Sequence, residues 1–225
     1  MPVAPEQGPD PRLRDGLADP DLRLIETLLW DGAAFPRLAL HEARLTRSAA
    51  ALGWARPFGF RAALDGMGDQ PQRVRVTLDA AGRFCVQPAA LPAGKTLWQV
   101  GLAKVPVFSA DPWLHVKSTR RAVYDAARAA LPSGLDEVLF LNERGEVCEG
   151  TITSVFFDRG QGLRTPPLTC GLLPGVLRAE MAVPEEVLLA EDLPDVQLWL
   201  GNALRGLMAA QLASADSAPF SIRSR

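Results

Sequence analysis

Hydrophobic and polar positions alternate most strictly in Arg73-Val74-Arg75-Val76-Thr77-Leu78. A period of two predicts a strand with one apolar and one charged face. Asp79-Ala80-Ala81-Gly82 then turns it into a second strand over 83–87, a hairpin covered on one side only. Upstream, Leu22–Trp30 reads as a strand, and Asp31-Gly32 turns it into a second short segment ending at Leu40. From His41 to Gly53 the period lengthens. Leu45, Ala49 and Leu52 recur at spacings of four and three, the apolar stripe of an amphipathic helix. His41, Arg44 and Ser48 align on another face, which an isolated helix would present to water. A shorter helix and a Gly-rich turn are expected over 56–70.

Further along, 97–107 predicts a strand, and 120–131 an alanine-rich helix suited to close packing. Glu137–Leu141, the turn Asn142–Gly145 and 146–151 predict a second hairpin, with 153–157 re-entering the sheet. Leu172-Leu173-Pro174-Gly175-Val176-Leu177-Arg178 starts a helix, with Pro where the first turn tolerates it. Two last strands are expected at 187–189 and 196–200, and 201–206 should lead into a terminal helix. Residues 1–20, rich in Pro, Asp and Arg, lack any hydrophobic period and predict a flexible N-terminal arm. The Pro-rich stretch 88–94 is the candidate linker between a small N-terminal α/β domain (21–94) and a C-terminal domain (95–225), which is expected to bind any cofactor. There is no internal repeat and no low-complexity tract.

Composition narrows the function classes. A 225-residue chain can bury a sizeable core, and a net charge of −2 gives no argument for nucleic acid or an acidic membrane as partner. No apolar run approaches the ~20 residues of a membrane span, and 1–20 lacks the apolar core of a signal peptide. Cys85, Cys148 and Cys170 are an odd, scattered set, which argues against a disulfide framework or zinc site and for a cytoplasmic protein with reduced thiols used as small apolar fillers. With two histidines, His41 and His115, a multi-histidine metal centre is excluded.

The basic residues carry the chemistry. Only three of the 24 are lysines, Lys95, Lys104 and Lys117. Lys95 lies in a polar turn and Lys104 in an apolar run. Lys117 follows the apolar approach Trp113-Leu114-His115-Val116 and precedes Arg120 and Arg121. Desolvation and nearby positive charge both favour a neutral amine, which can form a Schiff base where a guanidinium cannot. The Pro174-Gly175 turn would leave the amides of Val176 and Leu177 unsatisfied at a helix start, where a phosphate can bind, and 201–203 offers a second such turn. Arg44 could complete the site with a forked pair. One singular lysine and an anion cradle suggest an imine-forming, phosphorylated cofactor, pyridoxal phosphate. Such a cofactor also needs an acid partner for its ring nitrogen, and Glu149 can be that partner. Taken singly, Lys117 reads as a solvated helix start and Glu149 as a solvent-facing hairpin residue.

Four segments, in order, carry a resemblance. They are Leu38-x-x-His41-x-x-Arg44-Leu45-x-x-Ser48-Ala49; His115-x-Lys117-Ser118-Thr119-x-Arg121-x-x-Tyr124; Asp136-Glu137 through Glu149-Gly150-Thr151; and Leu173-Pro174-Gly175-Val176-Leu177-Arg178. Together they resemble the class IV aminotransferase family of fold-type IV pyridoxal-phosphate enzymes, over roughly 22–207. The resemblance implies an α/β (α+β) fold of two domains, each a mixed, largely antiparallel sheet or pseudo-barrel with flanking helices, and a homodimer. It implies Lys117 as the Schiff-base lysine, Glu149 as the ring-nitrogen partner, and Arg44, Val176, Leu177 and the turn at Ala203 as phosphate ligands, with Ser154 near the ring hydroxyl. Tyr124 would line the site. Ser154 stands where the family usually has Asn, Ala203 where a serine is common, and the strand and Gly-Asp-Gly segment expected before the Glu-Thr strand are missing or replaced by the arm.

Within the family the chain is most similar to 4-amino-4-deoxychorismate lyases, because Thr27 after Glu26 matches a threonine that branched-chain enzymes replace by glycine. Conversion of aminodeoxychorismate to 4-aminobenzoate and pyruvate, a step toward folate, is then the expected activity. A branched-chain or D-amino-acid aminotransferase, or a catalytically silent member acting as a binding module, are the alternatives.

Overall fold

The computed structural model describes residues 10–213, in two compact units. One holds the chain up to Ala93 together with Pro112–Arg121; the other holds Gly94–Asp111 and the chain from Ala122 onward.

The first unit is an antiparallel sheet in the order β1 (Leu24–Trp30), β2 (Gln72–Leu78), β3 (Phe84–Ala90). Helix α2 (Leu38–Ala51) packs against it. Leu24, Leu28, Val74, Val76 and Leu78 on one sheet face meet Leu45, Ala49 and Leu52 of α2 in one buried cluster. The apolar face of the period-two strands therefore packs on the apolar stripe of the helix. Pro88 sits within β3, the edge strand, where a missing donor is tolerated. The segment expected to lead up to Leu40 differs: α2 starts at Leu38, after Arg37 in the left-handed region. Only one 3-10 turn, Ala62–Leu64, forms in the stretch 56–70.

Residues 1–9 of the expected arm lie outside the described residues. From Asp10 the chain is ordered into a 3-10 turn, Pro11–Leu13, and the short helix α1 (Arg14–Leu17). Leu13 joins the core, and Gly16 lies so close to Trp113 that a Cβ there would sit 2.1 Å from its ring. An arm free of packing is thus corrected from Asp10 onward, since one buried leucine and one close glycine suffice to pin it.

The second unit is a closed six-stranded barrel, β4-β5-β6-β7-β8-β9. Its strands are β4 (Leu97–Leu102), β5 (Glu137–Leu141), β6 (Val147–Gly150), β7 (Ser154–Asp158), β8 (Gln197–Asn202) and β9 (Gly206–Leu212). β4 runs parallel to both β5 and β9; the other pairs are antiparallel. Trp98, Val100, Leu139, Val155, Phe157, Leu198, Leu200 and Met208 form its buried cluster. The expected terminal helix is a correction: β9 takes its place. Met208 and Ala210 are buried while Leu207, Ala209 and Gln211 are exposed, a period of two that pairing with β8 and β4 enforces over alanine's helix propensity. The strand expected at 187–189 reduces to one bridge, Leu189 to Glu146, and β4 stops at Leu102. Helix α3 (Ala122–Ala129) forms within the predicted 120–131, but none of its residues is buried, so its alanines do not pack closely. Helix α4 (Val176–Met181) forms where Pro174-Gly175 predicts. Among the described residues no helix is long and apolar enough to cross a membrane.

Candidate active site

Lys117 belongs to the first unit, on the free edge of β1. The Ile25 amide donates to the Lys117 carbonyl at 2.8 Å, the Thr119 amide donates to Arg23 at 2.9 Å, and Leu24 bridges Ser118. Paired residues of an antiparallel ladder share a face, so Lys117 registers with Ile25 and Thr27, opposite Leu24, Glu26 and Leu28. Trp113 and Val116 anchor the approach in the core, and the Arg120 guanidinium lies 4.9 Å from the Trp113 ring centroid. Lys117 is half-buried.

Beneath the other face of β1 sits a charged cluster. Glu26 is 1 % exposed and His41 fully buried. Arg44 donates from Nε to Glu26 Oε1 at 2.9 Å and from Nη2 to Oε2 at 2.5 Å, while His41 Nδ1 bonds Oε2 at 2.6 Å. Burial alone would push the Glu26 carboxyl up, but the Arg44 charge and the bonds from His41 and Arg44 outweigh it and hold the group down at about 2. The polar face expected to be solvated is therefore buried, because Glu26, inside an otherwise apolar strand, receives it.

The second unit brings five of the predicted residues into one stretch of wall. Glu149 on β6 pairs with Ser154 on β7, which pairs with Gly201 on β8. Gly175, preceding α4, lies so close that a Cβ would fall 2.5 Å from Ser154 Oγ, and a Cβ on Gly201 would fall 2.4 Å from Leu177. Only glycines allow α4 to seat its first turn against β7 and β8. The Val176 and Leu177 amides belong to that first turn, where no intrahelical acceptor exists. Ala203 lies in the β8–β9 turn, which Asn202 shapes by accepting from the Leu204 and Arg205 amides at 3.1 and 3.0 Å and donating to the Ile152 carbonyl at 3.2 Å.

Glu149 is buried, and Tyr124 on α3 donates its hydroxyl to Glu149 Oε1 at 2.8 Å. The ring of Tyr124 rests edge-on against Phe140 at 4.8 Å. A second buried carboxylate, Glu137, holds the turn after Glu149: it accepts from Thr151 Oγ1 at 2.6 Å, from Thr153 Oγ1 at 3.2 Å and from the Ile152 amide at 3.2 Å. Gly150 allows this, since a Cβ would meet Thr153 Oγ1 at 2.3 Å. Glu26 and Glu137 are buried carboxylates that motif reading leaves without a role. The available signal is the same for both, an acid within or at the start of an apolar strand. Cys148 and Cys170 are buried, and burial pushes the Cys170 thiol up to about 12 and Cys148 further, as inert fillers require.

The donor set matches an anionic aromatic cofactor. A glycine-permitted helix start offers amides, a buried carboxylate stands two strands away, and a lysine and a forked arginine are held in the first unit. Within the second unit the amides and the carboxylate suit the phosphate and ring nitrogen of pyridoxal phosphate; within the first, the lysine suits its aldehyde.

Comparison with known proteins agrees. The family model described as amino-transferase class IV matches residues 23–212. A Schizosaccharomyces pombe protein provisionally named aminodeoxychorismate lyase is 34 % identical over 168 residues, covering 70 % of this chain and 72 % of that protein. A crystal structure of a provisionally assigned amino-acid aminotransferase from Mesorhizobium loti superposes with a TM-score of 0.80 at 41 % identity, covering 86 % of this chain and all of that one. A Legionella pneumophila structure, provisionally assigned as 4-amino-4-deoxychorismate lyase, shares the fold at a TM-score of 0.73 and 22 % identity, covering 92 % and 87 %. Lys117, the Pro174-Gly175 turn and the barrel wall thus stand in a chain that belongs to the class IV aminotransferase family of pyridoxal-phosphate enzymes.

Proposed function

We propose that the protein is a pyridoxal-phosphate-dependent lyase that converts 4-amino-4-deoxychorismate to 4-aminobenzoate and pyruvate, acting in the cytoplasm as a homodimer. The observation that carries the choice of reaction is the 34 % identical relative that bears the lyase name; Thr27, on the face of β1 that registers with Lys117, supports it.

In this reading Lys117 is the residue that would hold the cofactor through its aldehyde. The Lys117 Nζ would be the base that takes the proton from the amine-bearing ring carbon of the substrate. Pyridoxal phosphate, when bound, would supply the electron sink that makes this proton removable. The Glu149 carboxylate keeps the ring nitrogen protonated, and Tyr124 orients Glu149 through its hydroxyl. Amides of Val176 and Leu177, the turn at Ala203 and the Arg44 guanidinium would hold the phosphate, and the Ser154 hydroxyl would serve the ring oxygen. Loss of the enolpyruvyl group then leaves an aromatic ring, and the same lysine can return its proton to the departing three-carbon unit.

A second reading, an aminotransferase, is favoured by the Mesorhizobium loti neighbour. One assay separates the two: protein given aminodeoxychorismate should release pyruvate with no oxo-acid acceptor added, and Lys117→Ala should abolish release. Conversion of amino acids that depends on 2-oxoglutarate, without pyruvate release, would instead establish the aminotransferase.

A further inference from the structure

We propose that Glu26 is a positioning residue that aims Arg44 at the phosphate of the cofactor, with His41 as its anchor. The inference rests on the reading of Arg44 as a phosphate ligand and goes beyond it by assigning the buried carboxylate that fixes it.

A carboxylate buried between an arginine and a histidine stabilises a fold little more than well-packed apolar residues of the same volume. Its geometry does something that apolar residues cannot. Arg44 spends Nε and Nη2 on the two oxygens of Glu26, so its guanidinium plane is fixed by a two-point fork. Nη1 stays outside the fork. His41 Nδ1 bonds the same oxygen that receives Nη2, so Glu26 cannot swing without breaking both contacts. His41 Nε2 is buried without a partner among the described residues. The ring is thus held from one side only, and its bond to Glu26 sets its orientation. A guanidinium already fixed in place loses less freedom when it meets an anion than a mobile one, and residues that orient a ligating group typically change affinity 10–100-fold when altered.

The test compares two probes on the apoprotein, pyridoxal phosphate and pyridoxal, which lacks the phosphate, each titrated by its visible absorption band. Glu26→Gln should weaken pyridoxal phosphate about 10–100-fold and pyridoxal less than about twofold. Arg44→Ala should show the same selectivity, and if it weakens neither probe, or both alike, the reading of Arg44 falls. If Arg44→Ala is selective while Glu26→Gln leaves both affinities unchanged or lowers both alike, the positioning role of Glu26 is overturned and the reading of Arg44 stands. Should Glu26→Gln fail to fold, His41→Gln decides: it keeps the Glu26–Arg44 pair but frees Glu26, and a phosphate-selective loss of several-fold supports the role. An equal change in both probes, or none, refutes it.

Discussion

Glu26 shows how much a single side chain can set. Its carboxyl is held at about 2 against burial by Arg44 and His41, so its folded value lies below that of the unfolded chain. A depressed carboxylate contributes stability that is full above the unfolded value, near 4.5, and is lost as pH falls toward 2. Between pH 6 and pH 3 this one group should account for a loss of about 2 kcal/mol. In Glu26→Gln, overall stability at pH 7 should be lower, because Arg44 is left buried without its counter-charge, yet the decline from pH 6 to pH 3 should be smaller by about that amount. Urea unfolding at the two pH values measures both. Motif spacing made His41, Arg44 and Lys117 legible as individual residues. It left Glu26 without a role, because an acid becomes a partner only when strand and helix meet, and nothing local in 24–30 says which helix that will be. Glu137 was hidden for the same reason, since its bonds to Thr151, Ile152 and Thr153 span a chain reversal.

At the scale of elements, close approach rather than propensity decides the site. Gly201 lets β8 accept Leu177, and a Cβ there would also stand 3.0 Å from the Gly206 carbonyl, a backbone atom that cannot rotate away. Gly201→Ala should therefore cost about 1–3 kcal/mol in thermal or denaturant unfolding, and should weaken binding of pyridoxal phosphate by displacing the first turn of α4. An unchanged affinity would show that the Val176 and Leu177 amides do not bind the cofactor. The hairpins β2–β3 and β5–β6 were readable because period-two patterns flank a turn. β9 was not: Gly206-Leu-Met-Ala-Ala-Gln-Leu212 has helix-forming residues, and its strand character comes from pairing with β8 just before it and with β4 far upstream, neither of which its own composition shows. Likewise, Leu13 and Gly16 are packing residues only because Trp113, about a hundred positions away, returns to meet them.

At the scale of the molecule, that return organises the first unit. Trp113 and Val116 belong to its core although Gly94–Asp111 belongs to the other unit, so the segment bearing Lys117 is held by a sheet encoded far upstream. Trp113→Ala should cost about 3–5 kcal/mol. A fragment ending at Ala93 should show no cooperative melting transition by circular dichroism, whereas one extended to Arg121 should regain one. The Pro-rich stretch before residue 94 marks one crossing between the units, but the second and third crossings, at 111–112 and 121–122, carry no compositional mark, because a chain that passes between two cores need not be polar there. The closed barrel imposes an order in time. β4 keeps one edge unpaired until β9 has been synthesised, so a nascent chain on the ribosome carries that sticky ladder while β5 to β8 are made, and closure, which joins residues near 97 to residues near 209, is the slow, late event on which assembly waits.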